Sequence, residues 1–119
     1  MNSILRTKVL LAGLLVAGCA AYPAPTRQLD VSVLAIEAAV MAGAAEHAAT
    51  DLKSAQDKLA LGKRWIAAKD YQPALWLVEQ AQVDAELAEM KAISAKARKI
   101  AAQMTAEYRA HNTQVAQGR

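Results

Sequence analysis

Glu79-Gln80-Ala81-Gln82-Val83-Asp84-Ala85-Glu86-Leu87-Ala88-Glu89-Met90 decides the fold. Alanine and the straight-chain residues Glu, Gln, Leu and Met are the strongest helix formers, and this stretch contains little else. It lies inside a longer run, because no proline follows Pro73 and no glycine intervenes before Gly118. The pattern predicts one helix from Tyr71 to about Asn112, about 63 Å long at 1.5 Å per residue. Pro73 is tolerated in a first turn, and Asp70 is placed to cap it. Trp76, Val83, Leu87, Met90, Ala97, Met104 and Tyr108 fall on one stripe of that helix, flanked by Ile93 and Ile100. Glu79, Asp84, Glu86 and Glu89 crowd its first half, and Lys91, Lys96, Arg98, Lys99 and Arg109 its second. Negative charge early and positive charge late complement the helix dipole.

Working outward, the preceding segment carries two shorter helical patterns. Leu52, Ala55, Leu59, Gly62 and Ile66 share a stripe of a helix from about Thr50 to Ala68, with Thr50 and Asp51 as candidate caps. Gly62 costs up to about 1 kcal/mol in helix propensity, which a close crossing against a neighbouring alanine face would explain. Before it, Leu29, Val33, Ile36 and Val40 recur at spacings of four, three and four, the face of an amphipathic helix that ends at Gly43. Leu52, Leu59, Ile66, Leu75 and Val78 are the expected core between the second and third helices.

Composition agrees. Alanine fills 29 of 119 positions, Phe is absent, and strand-forming aromatic and β-branched residues are few. The expectation is an all-α fold with three helices running up, down and up, a long C-terminal helix, and thin interfaces where alanines let backbones approach.

The N-terminal end reads as an address. Met1 to Lys8 is short and positive, Val9 to Ala17 is apolar apart from Gly13, and small residues follow, as in a secretory signal peptide. The apolar run is too short for a transmembrane helix, which needs about 20 residues. Val16-Ala17-Gly18-Cys19 resembles a bacterial lipobox, in which small residues precede an obligatory cysteine. The resemblance implies cleavage between Gly18 and Cys19 and lipidation of Cys19, the only cysteine in the chain. Ala20, where an aspartate would favour inner-membrane retention, implies the outer membrane, periplasmic face. Tyr22-Pro23-Ala24-Pro25-Thr26 reads as an extended tether. The expected segments are therefore a signal peptide at 1–18, a lipidated tether at 19–28, a helical domain at 29–112 and a tail at 113–119. Loss of Arg6 and Lys8 leaves 12 basic and 11 acidic residues. The basic precursor is thus no argument for nucleic-acid binding.

Two further resemblances come from the body. Ala68-Lys69-Asp70-Tyr71-Gln72-Pro73-Ala74-Leu75, with Ala81, looks like the turn of a tetratricopeptide hairpin, although Lys69 stands where that motif has glycine. Ala42-Gly43-Ala44, Leu52, Ala55, Lys58-Leu59, Asp70-Tyr71, Ala74 and the run Glu79 to Glu89 together are similar to alanine-rich bacterial envelope lipoproteins grouped as domain of unknown function 4398. That resemblance covers roughly Leu29 to Met104 and departs at Ala49, where such proteins often have proline. The grouping implies no established activity. Some members carry a peptidoglycan-binding domain of the outer-membrane-protein-A type, which this sequence does not contain.

Catalytic chemistry has no carrier here. His47 and His111 are far apart in sequence, no second cysteine exists, and no phosphate loop or nucleophile elbow occurs. No metal, cofactor or catalytic residue is assigned. Helices of 16 to 20 residues cannot cover a third helix of about 63 Å. Ala97, Ile100, Met104 and Tyr108 are therefore the candidate interaction surface for a partner helix in coiled-coil fashion. The expected partners are another envelope protein or a second copy, besides the membrane reached through the lipid. The competing reading is a periplasmic small-ligand-binding or enzyme-accessory protein, which requires a pocket bounded by Trp65, Tyr71 and Trp76.

Overall fold

The computed structural model describes residues 22–118. Those residues form four helices and no strand: α1 (Thr26–Ala42), α2 (Ala44–His47), α3 (Ala49–Ala67) and α4 (Tyr71–Gln117). The fold is all-α, as the alanine content dictates. Two boundaries move outward from the sequence expectation. α1 begins inside the expected tether, with Pro25 as its N-cap, and α4 runs through most of the expected tail to Gln117. Its 47 residues make a rod of about 70 Å.

α1 and α3 each end where the chain adopts a left-handed residue. Gly43 has φ +91°, and its N–H closes α1 onto the carbonyls of Ala39 and Val40. The single turn α2 follows before Ala48 redirects the chain into α3. α3 ends in a Schellman motif: the N–H of Lys69 reaches the Ile66 carbonyl, and that of Asp70 the Trp65 carbonyl. Lys69 is its left-handed residue, with φ +60°. The side chains named as caps are not used so. Thr50 lies inside α3, whose N-cap is Ala48, and Asp70 holds the N-cap position of α4 without a side-chain hydrogen bond.

α1 and α3 both lie along the first half of α4 and touch each other less. α3 runs antiparallel to α4, since Gly62 packs on Val78, Lys58 binds Asp84 and Asp51 binds Lys91. α1 runs parallel to α4, with Ser32 at Val78 and Gly43 under Lys96. The arrangement is therefore up, down, up.

The core is thin and made mostly of alanine. α4 contributes Ala74, Val78, Ala81, Ala85, Ala88 and Ala92, spaced alternately four and three residues apart, with Leu77 beside them. α3 contributes Leu52, Ala55, Leu59 and Gly62, and α1 contributes Ser32, Ile36 and Ala39. Of the expected core, Leu52, Leu59 and Val78 are buried, whereas Leu75 and Ile66 are only half-buried. Val40, expected on the inner face of α1, is exposed, because that face is centred on Ser32, Ile36 and Ala39. Small side chains bring the axes close, so dispersion between backbones replaces the large apolar area that leucines would bury. Val78 sits at the centre. A Cβ on Gly62 would lie 2.8 Å from its Cγ1. Its carbonyl accepts the hydroxyl of fully buried Ser32 at 2.6 Å.

Candidate interaction surface

The packing of α4 through its alanines determines what it leaves outside. A residue nine positions from another is two and a half turns away, on the opposite side of the helix. Trp76 stands in that relation to Ala85, Val83 to Ala92 and Met90 to Ala81. All three large residues are accordingly exposed, Trp76 to 62%. The uncovered surface is therefore larger than the sequence expectation, which names only Ala97, Ile100, Met104 and Tyr108. The bundle buries the alanine ridge instead, and the large apolar side chains face out along the whole length. The alternating four-three spacing of Ala74, Val78, Ala81, Ala85, Ala88 and Ala92 was the available signal for this.

Beyond the bundle the helix stands alone. Ala92 is its last buried residue and Ala95 its last half-buried one. Lys96 still lies over Gly43 at the end of α1, where carbonyl oxygens carry partial negative charge. From Lys96 to Gln117 every residue is exposed, a projection of about 33 Å. Ala97, Ile100, Met104 and Tyr108 all lie there. Ile100 is 57% exposed, Met104 65% and Tyr108 68%. Sequence reasoning found this distal patch but missed its continuation through Met90, Leu87, Val83 and Trp76.

Polar contacts fix the proximal half against α3. Lys58 Nζ lies 2.7 Å from Asp84 Oδ2, and Ser54 donates to the same oxygen at 2.6 Å. Burial pushes the Asp84 carboxyl up, but the hydrogen bonds from Lys58 and Ser54 and the Lys58 charge outweigh it and leave the pKa below its ordinary value of 3.8. Lys91 reaches Asp51 at 2.8 Å, where Asp51 also suits the first turn of α3. Gln28 donates to Gln82 at 2.6 Å and ties the start of α1 to α4.

The elements of an enclosed site do not converge. The hollow beside Trp76 is lined by Lys58, Glu79, Gln80, Val83 and Asp84, and contains neither Trp65 nor Tyr71. Tyr71 lines a separate groove with Tyr22, Lys69, Asp70 and Gln72. Trp76 and Tyr71 thus line different hollows among the described residues, and Trp65 lines neither. His47 is 3.8 Å from Glu46 near the α1–α3 connection, while His111 is exposed on the projecting part of α4. Among the described residues, no group of three or more His, Cys, Asp or Glu could hold a metal ion. No helix among them is long and apolar enough to cross a membrane. Gly18 and Cys19 lie outside the described residues.

The groove at Tyr71 locates the start of the described chain. Tyr22 sits against the α3–α4 turn, at the end of the bundle from which α4 sets out. Tyr22 thus marks one end of the bundle, and the uncovered half of α4 projects from the other.

No curated protein and no solved structure matches the chain. Residues 27–104 match the family described as Domain of unknown function (DUF4398), a span that takes in α1, α2, α3 and α4 as far as Met104. The chain belongs to that family.

Proposed function

We propose that this protein is a non-catalytic helical interaction module, held by lipid on Cys19 at the periplasmic face of the bacterial outer membrane. The observation that carries the reading is the uncovered apolar face of α4, continuous from Trp76 to Tyr108 and beyond. Isolated helices gain most of their stability in water from packing an apolar face, so a stripe of this length calls for a partner. The position of Tyr22 supports the anchored geometry. A lipid three residues upstream holds the α3–α4 turn near the bilayer and directs the free half of α4 away from it.

Two variants test the two parts. Cys19→Ala should abolish incorporation of labelled fatty acid and leave an unprocessed or soluble protein. Equal labelling of the variant would remove the anchor from the reading. Ile100→Glu combined with Met104→Glu should abolish association in detergent-solubilised envelopes, followed by cross-linking and sedimentation. Both residues are exposed and remote from the bundle, so circular dichroism should retain the helical spectrum. Undiminished association of the double variant would leave α4 as a spacer only.

A further inference from the structure

We infer that the outer face of α4 is the seam of a parallel, in-register coiled coil with a second copy of this chain. The inference rests on the anchored reading above and deepens it by naming the partner.

The seam is written in the repeat. Trp76, Val83, Met90, Ala97 and Met104 recur every seven residues, all exposed on the side away from α1 and α3. Four residues after members of that series come Leu87, Ala101 and Tyr108, and Val115 falls at the next repeat. Apolar positions spaced alternately by four and three average 3.5 residues, slightly less than the 3.6 of a straight helix. On a straight helix such a stripe drifts by about 20° per heptad, and a left-handed supercoil around a partner removes the drift. The four heptads from Trp76 to Met104 accumulate about 80° of drift on a straight helix. A stripe that ended with the bundle, or kept a 3.6 period, would not need a supercoiled partner.

Charge selects the partner and its direction. Glu79, Glu86 and Glu107 follow seam residues by three positions and border the stripe on one side. Asp84, Lys91 and Arg98 follow seam residues by one position and border it on the other. Asp84 is already engaged by Lys58 and Ser54 of α3, which leaves that border basic from Lys91 onward. Two copies related by a twofold axis parallel to α4 bring the acidic border of each against the basic border of the other. An antiparallel pair would set acidic border on acidic border. In the parallel register, residues five apart face each other across the seam, so Glu86 meets the second copy's Lys91. Lys91 is half exposed beyond its contact with Asp51 and can reach it. Glu79 meets the second copy's Asp84, whose charge its own Lys58 already offsets at 2.7 Å. Small residues at Ser94, Ala97 and Ala101 let the two helices approach closely. Two chains held at Cys19 on one membrane present α4 in the same direction.

Disulfide mapping tests this in the full chain in its own envelope. Ser94→Cys and Ala101→Cys lie on the seam, while Ala106→Cys lies on the opposite, exposed side of the same helix. Mild oxidation should give a disulfide-linked dimer from each seam variant. Ala106→Cys, and the unaltered chain with only Cys19, should give none. Self-linking at both 94 and 101 requires a parallel, in-register pair. Linking at only one of them, equal linking at 106, or no dimer from any variant overturns the proposal. If a cross-linker with one thiol-reactive and one photoactivated end, attached to the Ala101→Cys variant, instead joins it to a different envelope protein, the second copy is excluded and the interaction role survives. If the reagent joins that variant to nothing, both readings fall.

Discussion

Gly62 of α3 and Val78 of α4 approach so closely that a methyl group on the glycine would lie 2.8 Å from the valine Cγ1. Val78 is fully buried and β-branched, so its side chain has little freedom to move aside. Ala74 O and Leu77 Cβ stand 3.5 Å from the same position, at ordinary contact distance, so Val78 is the obstacle.

Gly62→Ala should therefore destabilise the protein, although alanine is the better helix former by about 1 kcal/mol. Overpacking costs typically about 1–3 kcal/mol, enough to reverse the propensity gain. Urea unfolding should show a lower midpoint for Gly62→Ala. In a Val78→Ala background the same change should be neutral or stabilising, because the obstacle is gone. A stabilised single variant would contradict the close crossing.

Leu59→Ala should lose about 2–4 kcal/mol, since Leu59 is buried in a core with few other large side chains to relax into the space. The measurement is again urea unfolding, with circular dichroism confirming a helical spectrum. Wild-type stability would place Leu59 outside the core.

Lys69→Gly should stabilise by about 0.5–1 kcal/mol. The left-handed conformation at φ +60° is costly for a side chain with Cβ and free for glycine. Part of that gain is lost to the greater freedom of glycine in the unfolded chain. Lys69→Ala should leave stability nearly unchanged. It thereby separates the backbone effect from loss of the lysine charge.

Asp84 links stability to acid. Its folded pKa lies below the ordinary 3.8, so its contribution is complete above that value and disappears as pH falls through the lower, folded value. Asp84→Asn should cost about 1 kcal/mol at neutral pH, the scale of a partly exposed ion pair with one further hydrogen bond. The difference between variant and wild type should shrink to nothing in strong acid. A gap independent of pH would mean that the Lys58 and Ser54 contacts do not depend on the carboxylate charge.

These positions also show what the sequence made legible. The inner stripe of α3 was readable residue by residue, because Leu52, Ala55, Leu59 and Gly62 combine helical spacing with an apolar character that no other face shares. The glycine at 43 and the departure from glycine at 69 both fell on left-handed positions. The orientation of α4 was harder, since it carries two apolar faces. Large side chains promise more area on burial, which favours the stripe of Trp76 and Val83 as the inner face. The fold instead takes the alanine ridge, where backbone proximity is gained and where Ser32 can reach the Val78 carbonyl. Caps were misread for a related reason. Ala48 and the Schellman turn at Lys69 set the chain direction through backbone geometry, and the hydroxyl of Thr50 and the carboxylate of Asp70 take no part.

The uninterrupted course of α4 has a mechanical consequence. About 37 Å of it is clamped by α1 and α3, and about 33 Å extends past them with no hinge residue between. A sideways load near Tyr108 is therefore not absorbed by a joint. It turns the whole rod about the end of α1, where Lys96 rests on Gly43, and is resisted at the Gly62–Val78 crossing. What grips the tip of this helix also pulls on its core.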